Sequence, residues 1–267
     1  MMVALCSDKG SPGVTTTAVA LASTWPQPAI VVEVDAYGGD LAMRLRTREG
    51  AVLAETPTVL SVATAARTTT DSHMVARYAQ PVNDQVLVVP GHGAAEQAGG
   101  VPDWAPLGRA LSVSAWPVLA DLGRLHGGSP VLPVAAAADV IVVVARTDTA
   151  SVVRLRERLA RLVPAVAAVR GSAPRVFPVL LTRARYGPGD VADVRRILAD
   201  TPAGPFLAGV AHVSLDPAGV ERLIGGGHVP TGRLARSPLL KSARRISQEL
   251  CSLVQDTARV PMHLEVR

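Results

Sequence analysis

Aromatic residues and cysteines are scarce in this sequence, and their scarcity excludes several kinds of protein. Aromatic side chains make up only 3% of the 267 residues, too few for a surface that stacks on nucleic-acid bases. Two cysteines, Cys6 and Cys251, supply neither a disulfide framework nor the four ligands of a zinc module. The six histidines show no metal-ligand spacing. The composition therefore excludes a disulfide-stapled secreted domain, a zinc module and an aromatic-platform RNA binder.

Long apolar runs are also missing. The most apolar run, 131–145, contains Pro133 and Asp139 and is shorter than the roughly 20 residues that span a bilayer. The first residues lack the basic stretch and apolar run of a secretory signal. We expect a cytoplasmic protein without a membrane-spanning segment.

Lysine is nearly absent although the chain is basic. The formal net charge is +5, and Lys9 and Lys241 are the only lysines among 27 basic residues. A basic balance fits an acidic partner, such as nucleic acid, anionic lipid or nucleotide phosphate, but it also fits a mild surplus spread along the chain. Because Arg and Lys contact phosphate differently, the lysine at position 9 marks its surroundings as a candidate site.

Short apolar runs alternate with helical patterns along the chain. The runs are apolar throughout, which is typical of strands covered on both faces of a sheet. This order predicts an α/β fold, with a single doubly wound, mostly parallel sheet flanked by helices. We assign residues 1–257 to this domain and 258–267 to a tail, and we expect one or two helices within 51–83 and loops at 91–102 and 225–230. The predicted strands are 3–6, 30–34, 86–89, 117–120, 140–145, 176–181 and 206–213, and the predicted helices are 15–24, 151–169, 190–199, 217–224 and 239–254.

The most informative segment is residues 3–17, where a strand leads through a glycine-containing loop into a helix that opens on threonines. In such a loop, backbone N–H groups and the positive end of the helix dipole face an anion. Gly10 and Gly13 permit the backbone conformations that it needs, and Thr15 is placed to offer its hydroxyl to magnesium. A strand–helix turn without a ligand has the same pattern, so the loop alone leaves both interpretations open.

The segment resembles the deviant Walker A loop of the ParA/MinD superfamily of P-loop NTPases, whose usual form is Lys-Gly-Gly-x-Gly-Lys-Thr-Thr. Lys9 matches the signature lysine, which in that family reaches across a dimer to the other subunit's nucleotide. Ser11 replaces a glycine, and Val14 replaces the second lysine, which contacts the β- and γ-phosphates. The resemblance implies ATP and Mg²⁺ as cofactors, bound at Gly10, Ser11, Gly13, Val14, Thr15 and Thr16.

The replacement at Val14 predicts weakened nucleotide binding. A hydrogen bond to a charged group contributes roughly 1.5–3 kcal/mol, so its loss lowers the affinity about 10- to 100-fold. The missing lysine would also stabilise charge on the transferring phosphoryl group, so hydrolysis should suffer further. Asp8 adds a negative charge beside the expected phosphates. We therefore expect a pseudo-ATPase or a very weak ATPase.

Two further segments resemble motifs of the same superfamily, and each contains a candidate carboxylate. Residues 31–41 resemble its second-strand motif, in which Asp35 matches the aspartate near the attacking water and Glu33 stands where another aspartate usually is. Residues 117–123 resemble a Walker B strand, whose Asp121 would hold magnesium through water. Without a ligand, Asp35 would cap a turn and the following helix, and Asp121 would be an ordinary aspartate at a strand end.

Later segments resemble the parts of the superfamily that surround the nucleotide base and DNA. Thr182 stands where the family often has an asparagine that reads adenine, and Asp216 lies in the loop that flanks the base. A basic cluster lies near the last predicted helix, where ParA-type ATPases bind DNA non-specifically; the solvated face of that helix is the other interpretation. The cluster comprises Arg233, Arg236, Lys241, Arg244 and Arg245.

The run 38–41 and the dipeptide 216–217 look most like the TadZ/CpaE-like, pilus-associated and actinobacterial branch, which often has an eroded P-loop. This resemblance implies a homodimeric positioning or scaffold protein that binds ATP weakly or not at all and recruits partners such as a pilus or secretion apparatus. The alternative is a slow, Mg-ATP-dependent dimerising ATPase switch in chromosome or plasmid partitioning, with non-specific DNA binding. The candidate catalytic residues are Lys9 and Asp35, and the candidate magnesium ligands are Thr15 and Asp121.

Overall fold

A parallel sheet forms the centre of the fold in the computed structural model, which describes residues 1–9, 12–69, 71–225 and 232–259. Its strands are β1 (Met2–Ser7), β2 (Ala29–Glu33), β3 (Gln80–Pro81), β4 (Val86–Val89), β5 (Val118–Arg124), β6 (Val140–Arg146), β7 (Val176–Thr182) and β8 (Ala211–Ser214). Within the described residues these eight strands lie in the order β3-β4-β2-β5-β1-β6-β7-β8. All paired strands run parallel except β3, which is antiparallel to β4.

Helices connect the strands and cover both faces of the sheet. They are α1 (Val14–Ala22), α2 (Leu41–Arg44), α3 (Val59–Ala65), α4 (Met74–Tyr78), α5 (Ala95–Ala98), α6 (Ala105–Ser112), α7 (Leu132–Ala136), α8 (Thr149–Arg170), α9 (Gly187–Ala199), α10 (Pro217–Gly225), α11 (Gly232–Ala235) and α12 (Pro238–Arg259). A short 3₁₀ turn spans Gly204–Phe206.

The two helical layers explain why the strands are apolar throughout. Successive residues of a strand face opposite sides of the sheet. In β1, Ala4 packs into the core beneath α3, α4 and α6 to α9, whereas Leu5 packs into the core beneath α1 and α12. Every residue of β1 is buried. The structure thus confirms the predicted α/β class and the doubly wound, mostly parallel sheet.

The sheet brings the ends of three strands together. Strand β5 pairs with β1 on one side and with β2 on the other, and all three run parallel. Their carboxyl ends therefore meet at one edge, where the loop before α1 and the loop before α2 begin. Ligands of open α/β sheets bind at such an edge.

The structure also contains short elements that the sequence pattern did not indicate. The stretch 51–83 holds α3 and α4, as predicted, but also the edge strand β3, in which Pro81 has no N–H to pair. The predicted loop 91–102 contains α5, and α6 and α7 lie outside the predicted helices. The strand predicted at 206–213 is shorter, because the 3₁₀ turn occupies its start and β8 begins at Ala211.

The predicted boundary between domain and tail stays a prediction. Helix α12 continues to Arg259, so residues 258 and 259 extend the helix. Residues 260–267 of the tail lie outside the described residues, as do residues 226–230 of the predicted loop 225–230. No helix in the described ranges is both long enough and apolar enough to cross a membrane.

Candidate functional site

A cavity of about 510 Å³ lies at the carboxyl ends of β1, β2 and β5. Its walls come from the first turn of α1, the loop between β2 and α2, and the end of β5. We refer to it as the main cavity. It is lined by Ser7, Gly13, Val14, Thr15, Thr16, Glu33, Asp35, Tyr37, Gly38, Gly39, Asp40, Arg44, Gly93, Gly123 and Arg124.

Gly13 and the first turn of α1 line the main cavity, and the first N–H groups of a helix have no partner within it. Gly13 precedes the helix with a φ of 88°, a left-handed conformation that glycine adopts without strain. No acidic residue occupies the first turn of α1, so the unpaired N–H groups and the helix dipole favour an anion there. Two further residues of the predicted loop, Gly10 and Ser11, lie outside the described residues.

Val14 opens α1 with its side chain in the core. The residue is only 5% exposed and belongs to the apolar cluster between α1 and the sheet. The position that carries a lysine in the resembling loop therefore offers an aliphatic group and no charge. Thr15 and Thr16 follow it, and both line the main cavity.

Asp8 and Lys9 lie beside helix α8 and do not line the main cavity. The Asp8 carboxylate forms an ion pair and a hydrogen bond with the guanidinium of Arg158. Lys9 is exposed and lines a separate hollow of about 310 Å³ together with Arg154 and Arg161. The expected negative charge of Asp8 is thus paired with an arginine on the α8 side of the loop. Because Lys9 does not line the main cavity, it cannot replace the missing lysine within its own chain.

Asp121 is buried in the middle of β5, directly opposite Glu33, the last residue of β2, in the parallel ladder. Its Oδ1 accepts a hydrogen bond from the Gly123 N–H at 3.0 Å, whereas Oδ2 is buried without a hydrogen-bond partner among the described residues. Burial raises the pKa of this carboxyl to about 6, and the Thr15 hydroxyl and the Gly123 N–H act in the opposite direction. The structure therefore brings Thr15 and Asp121 together.

These two side chains fit a magnesium ion that arrives with a phosphate. A buried carboxylate oxygen without a partner, beside a hydroxyl, is a donor set of the kind that Mg²⁺ prefers. In the part of the chain that the structure describes, no three His, Cys, Asp or Glu side chains form a group that could hold a metal ion. The donor set therefore suits an ion that takes its other ligands from phosphate and water.

Asp35 lies in the loop after β2, against the backbone of Gly123. Its Oδ1 accepts a hydrogen bond from the Tyr37 N–H at 2.9 Å, and its Oδ2 occupies the space that a side chain at Gly123 would need. Burial raises the pKa of Asp35, while the Tyr37 N–H and the charge of Arg124 lower it. Asp35 thus caps a turn and also lines the main cavity. A structural role at the turn and a role beside a bound ligand are therefore compatible.

Sequence reasoning missed the part that Glu33 plays. Its Oε1 accepts a hydrogen bond from the Asp40 N–H at 2.9 Å, and its Oε2 accepts one from the Gly91 N–H at 2.8 Å. The Leu41 N–H, at the start of α2, donates to the same carboxylate. Burial raises the pKa of Glu33 to about 7 against the effect of these N–H groups. Glu33 therefore holds the loop before α2 to the loop after β4.

A second cavity, of about 320 Å³, adjoins α1 and is lined largely by apolar groups. It shares Gly13 and Thr16 with the main cavity. Asp216, predicted to flank a base, lines this second cavity, and its carboxylate accepts hydrogen bonds from the Gly219 N–H at 3.0 Å and the Leu239 N–H at 3.4 Å. Asp216 therefore ties the start of α10 to the start of α12 at the wall of this cavity.

Thr182, the other residue predicted to contact a base, is engaged elsewhere. Its hydroxyl donates a hydrogen bond to Asp190 Oδ2 of α9 at 2.6 Å. Thr182 is buried at the end of β7 and does not line the second cavity, whereas its neighbour Leu181 does. The position of Thr182 therefore gives no support to a role in reading a base.

The five basic residues predicted to contact DNA lie on α11, on α12 and in the turn between them. All five are exposed, and none forms an ion pair with an acidic side chain in the described ranges. Buried residues of α12, such as Leu240 and Ile246, hold the helix on the sheet. The face with Arg233, Arg236, Lys241, Arg244 and Arg245 is thus directed to solvent.

Replacing Asp121 by asparagine should stabilise the ligand-free protein above neutral pH. Because the pKa of Asp121 is raised from 3.8 to about 6 in the folded protein, the folded state loses stability relative to the unfolded chain as the pH rises through this range. Asp121→Asn removes that loss, so it should raise the free energy of unfolding by on the order of 1–3 kcal/mol at pH 8, and by less at pH 4. Urea denaturation without magnesium or nucleotide measures both values. An equal difference at the two pH values would contradict the assignment to Asp121.

A methyl group at Gly123 should displace Asp35. Gly123 has a φ of 56°, and an added Cβ would overlap the Asp35 carboxylate. Gly50 is a matched control, because it has a φ of 81° and nothing within 4 Å of an added Cβ. Both Gly→Ala changes carry the backbone strain of a left-handed residue, roughly 1–2 kcal/mol. We expect Gly123→Ala to lower the free energy of unfolding by about 1–3 kcal/mol more than Gly50→Ala. Equal losses in urea denaturation would show that the position of the Asp35 carboxylate does not require a glycine at residue 123.

Solved structures with the same architecture match this chain over nearly its whole length. A ParA family ATPase from Chlorobium tepidum has a TM-score of 0.69 at 15% identity, with 92% of this chain and 98% of that chain covered. A variant of McdA from Cyanothece in complex with ATP has a TM-score of 0.65 at 16% identity, covering 94% and 96%. MinD from Pyrococcus horikoshii, complexed with Mg-ADP, has a TM-score of 0.64 at 15% identity, covering 97% and 99%.

Sequence comparison adds no closer relationship. No protein-family model matches the chain, and no curated protein matches it. At these identities the structural likeness establishes the fold alone. This protein has the P-loop NTPase fold of the ParA/MinD ATPases.

Proposed function

We propose that this protein is a ParA/MinD-like positioning or scaffold protein that binds ATP weakly or not at all and hydrolyses it very slowly at most. It would form a homodimer, face to face at the nucleotide site, and recruit protein partners such as parts of a pilus or secretion apparatus. The nucleotides held by McdA and MinD in structures of the same fold support a nucleotide as the ligand class. The TadZ/CpaE-like features of the sequence support the partner class.

The buried side chain of Val14 carries this proposal. The first turn of α1 offers N–H groups to an anion, but its first residue contributes an aliphatic group to the core. A P-loop NTPase uses a lysine there to stabilise charge on the transferring phosphate. Lys9 lies beside α8 and does not substitute for it within the chain. The first turn of α1 would therefore hold phosphate without the charge that drives turnover.

The remaining site residues have consistent roles in this proposal. Thr15 and Asp121 would hold a magnesium ion, which would neutralise charge on the phosphates when bound. Asp35 lines the main cavity and would orient a water molecule if any hydrolysis survives. Lys9 is exposed beside the loop, so it would reach the nucleotide of a second copy.

A lysine at position 14 should strengthen Mg-ATP binding. Val14→Lys adds a charged donor beside the expected phosphates, so we expect its Kd to be about 10- to 100-fold lower than that of the wild type, with faster phosphate release. Val14→Met, which has a long uncharged side chain, is the control for altered packing. Calorimetric titration with Mg-ATP and a phosphate-release assay measure the two effects.

The same titration separates the proposal from its alternative. Rapid wild-type turnover that Val14→Lys does not increase, and that Lys9→Ala or Asp35→Ala abolishes, would favour a working ATPase switch. If neither the wild type nor Val14→Lys binds Mg-ATP, the phosphate site itself is refuted and only the fold resemblance remains.

DNA binding is the second candidate function, and the exposed basic residues of α11, of α12 and of the turn between them favour it. If this face binds DNA phosphates, Arg244→Ala combined with Arg245→Ala should weaken binding and reduce the slope of log K against log salt by about 2. The control with the same loss of charge is Arg48→Ala with Arg77→Ala, because these arginines pair with Asp84 and Asp71 elsewhere. Fluorescence anisotropy with non-specific duplex DNA measures the slope. Equal slopes for the two double variants would show that Arg244 and Arg245 do not contact DNA phosphates.

A further inference from the structure

Two guanidinium groups in the main cavity have no part in the proposed function. Arg44 and Arg124 both line the cavity, as does the first turn of α1. Arg44 is the last residue of α2, and Arg124 is the last residue of β5. They reach the same space from two separate elements. The cavity therefore contains positive charge although Val14 supplies none.

Arg44 lies over the first turn of α1. Its Nη2 donates a hydrogen bond to the hydroxyl of Thr16 at 3.3 Å. Its Nη1 contacts Asp40 Oδ1 at 3.2 Å, and both side chains of this pair are partly exposed. Exposed pairs of this kind are weak, so Arg44 would exchange Asp40 for a phosphate oxygen at little cost.

Arg124 lies at another wall of the cavity, beside the loop after β2. Its Cζ is 4.5 Å from the centre of the Tyr37 ring, and its charge lowers the pKa of Asp35. Within the part of the chain that the structure describes, Arg124 forms no ion pair with a carboxylate. Its donors are therefore available to a ligand near Thr15 and Asp35.

We infer that Arg44 and Arg124 bind the phosphates of a nucleoside triphosphate in the main cavity and replace the charge of the lysine that Val14 excludes. This inference rests on the proposed function, which assigns the cavity to a nucleotide. A guanidinium presents paired donors that match two phosphate oxygens, whereas a lysine acts as a point charge. Together with the N–H groups of α1, the two arginines surround the phosphate position with donors.

The two arginines also offset negative charge that the cavity itself contains. Asp35, Asp40 and Glu33 line the same space and oppose a polyphosphate anion. Of the three carboxyl groups, Glu33 repels a polyphosphate least, because three backbone N–H groups donate to its oxygens and burial raises its pKa. Asp35 and Asp40 lie beside Arg124 and Arg44, respectively, so each arginine also offsets a neighbouring negative charge.

Calorimetric titration with Mg-ATP, and with magnesium tripolyphosphate as a probe without a base, tests the inference. The variants are Arg44→Gln, Arg124→Gln and the two combined, with Arg48→Gln as the control. Arg48 is an exposed arginine paired with Asp84 and does not line the cavity. We expect each cavity variant to raise the Kd for both probes by on the order of 10- to 100-fold, and Arg48→Gln to leave it within about twofold. Arg44→Lys should recover only part of the affinity, because it restores charge without the paired donors. Circular dichroism melting of each variant verifies folding.

Each outcome decides between the two proposals. If the wild type binds Mg-ATP and the cavity variants bind equally well, or if Arg48→Gln loses as much affinity as they do, the inference is overturned and the scaffold proposal stands. Absence of wild-type binding at millimolar Mg-ATP likewise overturns the inference alone. Rapid turnover that the cavity variants abolish would support the inference and overturn the pseudo-ATPase proposal.

Discussion

The site depends on two acidic side chains that are buried opposite each other, Glu33 on β2 and Asp121 on β5. Burial raises the pKa of both carboxyl groups, and the charge of Asp121 raises that of Glu33 further. An isolated buried carboxylate is costly, so each needs compensation from its surroundings. Glu33 receives it from backbone N–H groups on two loops, whereas Asp121 keeps one oxygen without a partner. Glu33 is therefore held by the main chain, whereas Asp121 is buried beside the Thr15 hydroxyl with less compensation from the main chain.

This arrangement accounts for several glycines around the main cavity. Gly39 and Gly91 lie so close to the Glu33 carboxylate that a side chain at either position would overlap it. Gly123 stands in the same relation to Asp35. Carboxylates thus occupy the space of the missing side chains and hold the loops by hydrogen bonds to the main chain. The cavity is preorganised by polar contacts at the loops, while the apolar core fixes the strands beneath them.

The fold was readable from the sequence because both faces of the sheet are covered, so the strands appear as continuous apolar runs. The glycine and threonine pattern of the first loop likewise located the cavity. Short elements such as α2 and α5, with four residues each, are too brief for a periodic pattern. Arg44 and Arg124 escaped detection because they belong to no motif of the loop, and only the sheet order brings them together. Thr182 was assigned to a base by its position in a motif, but its hydroxyl contacts Asp190.

Holding a nucleotide and hydrolysing it place different demands on positive charge. Affinity needs cations near the phosphates of the ground state, whereas turnover needs additional stabilisation where charge develops in the transition state. Arg44 is partly exposed and pairs with Asp40, and Arg124 lies over the exposed ring of Tyr37. Neither side chain is therefore held as firmly as a residue in the first turn of α1. Side chains held this loosely meet the first demand better than the second, because preorganised donors are the ones that lower a barrier. If Arg44 and Arg124 bind the phosphates as inferred, the cavity would hold a nucleotide without the fixed charge that rapid hydrolysis needs.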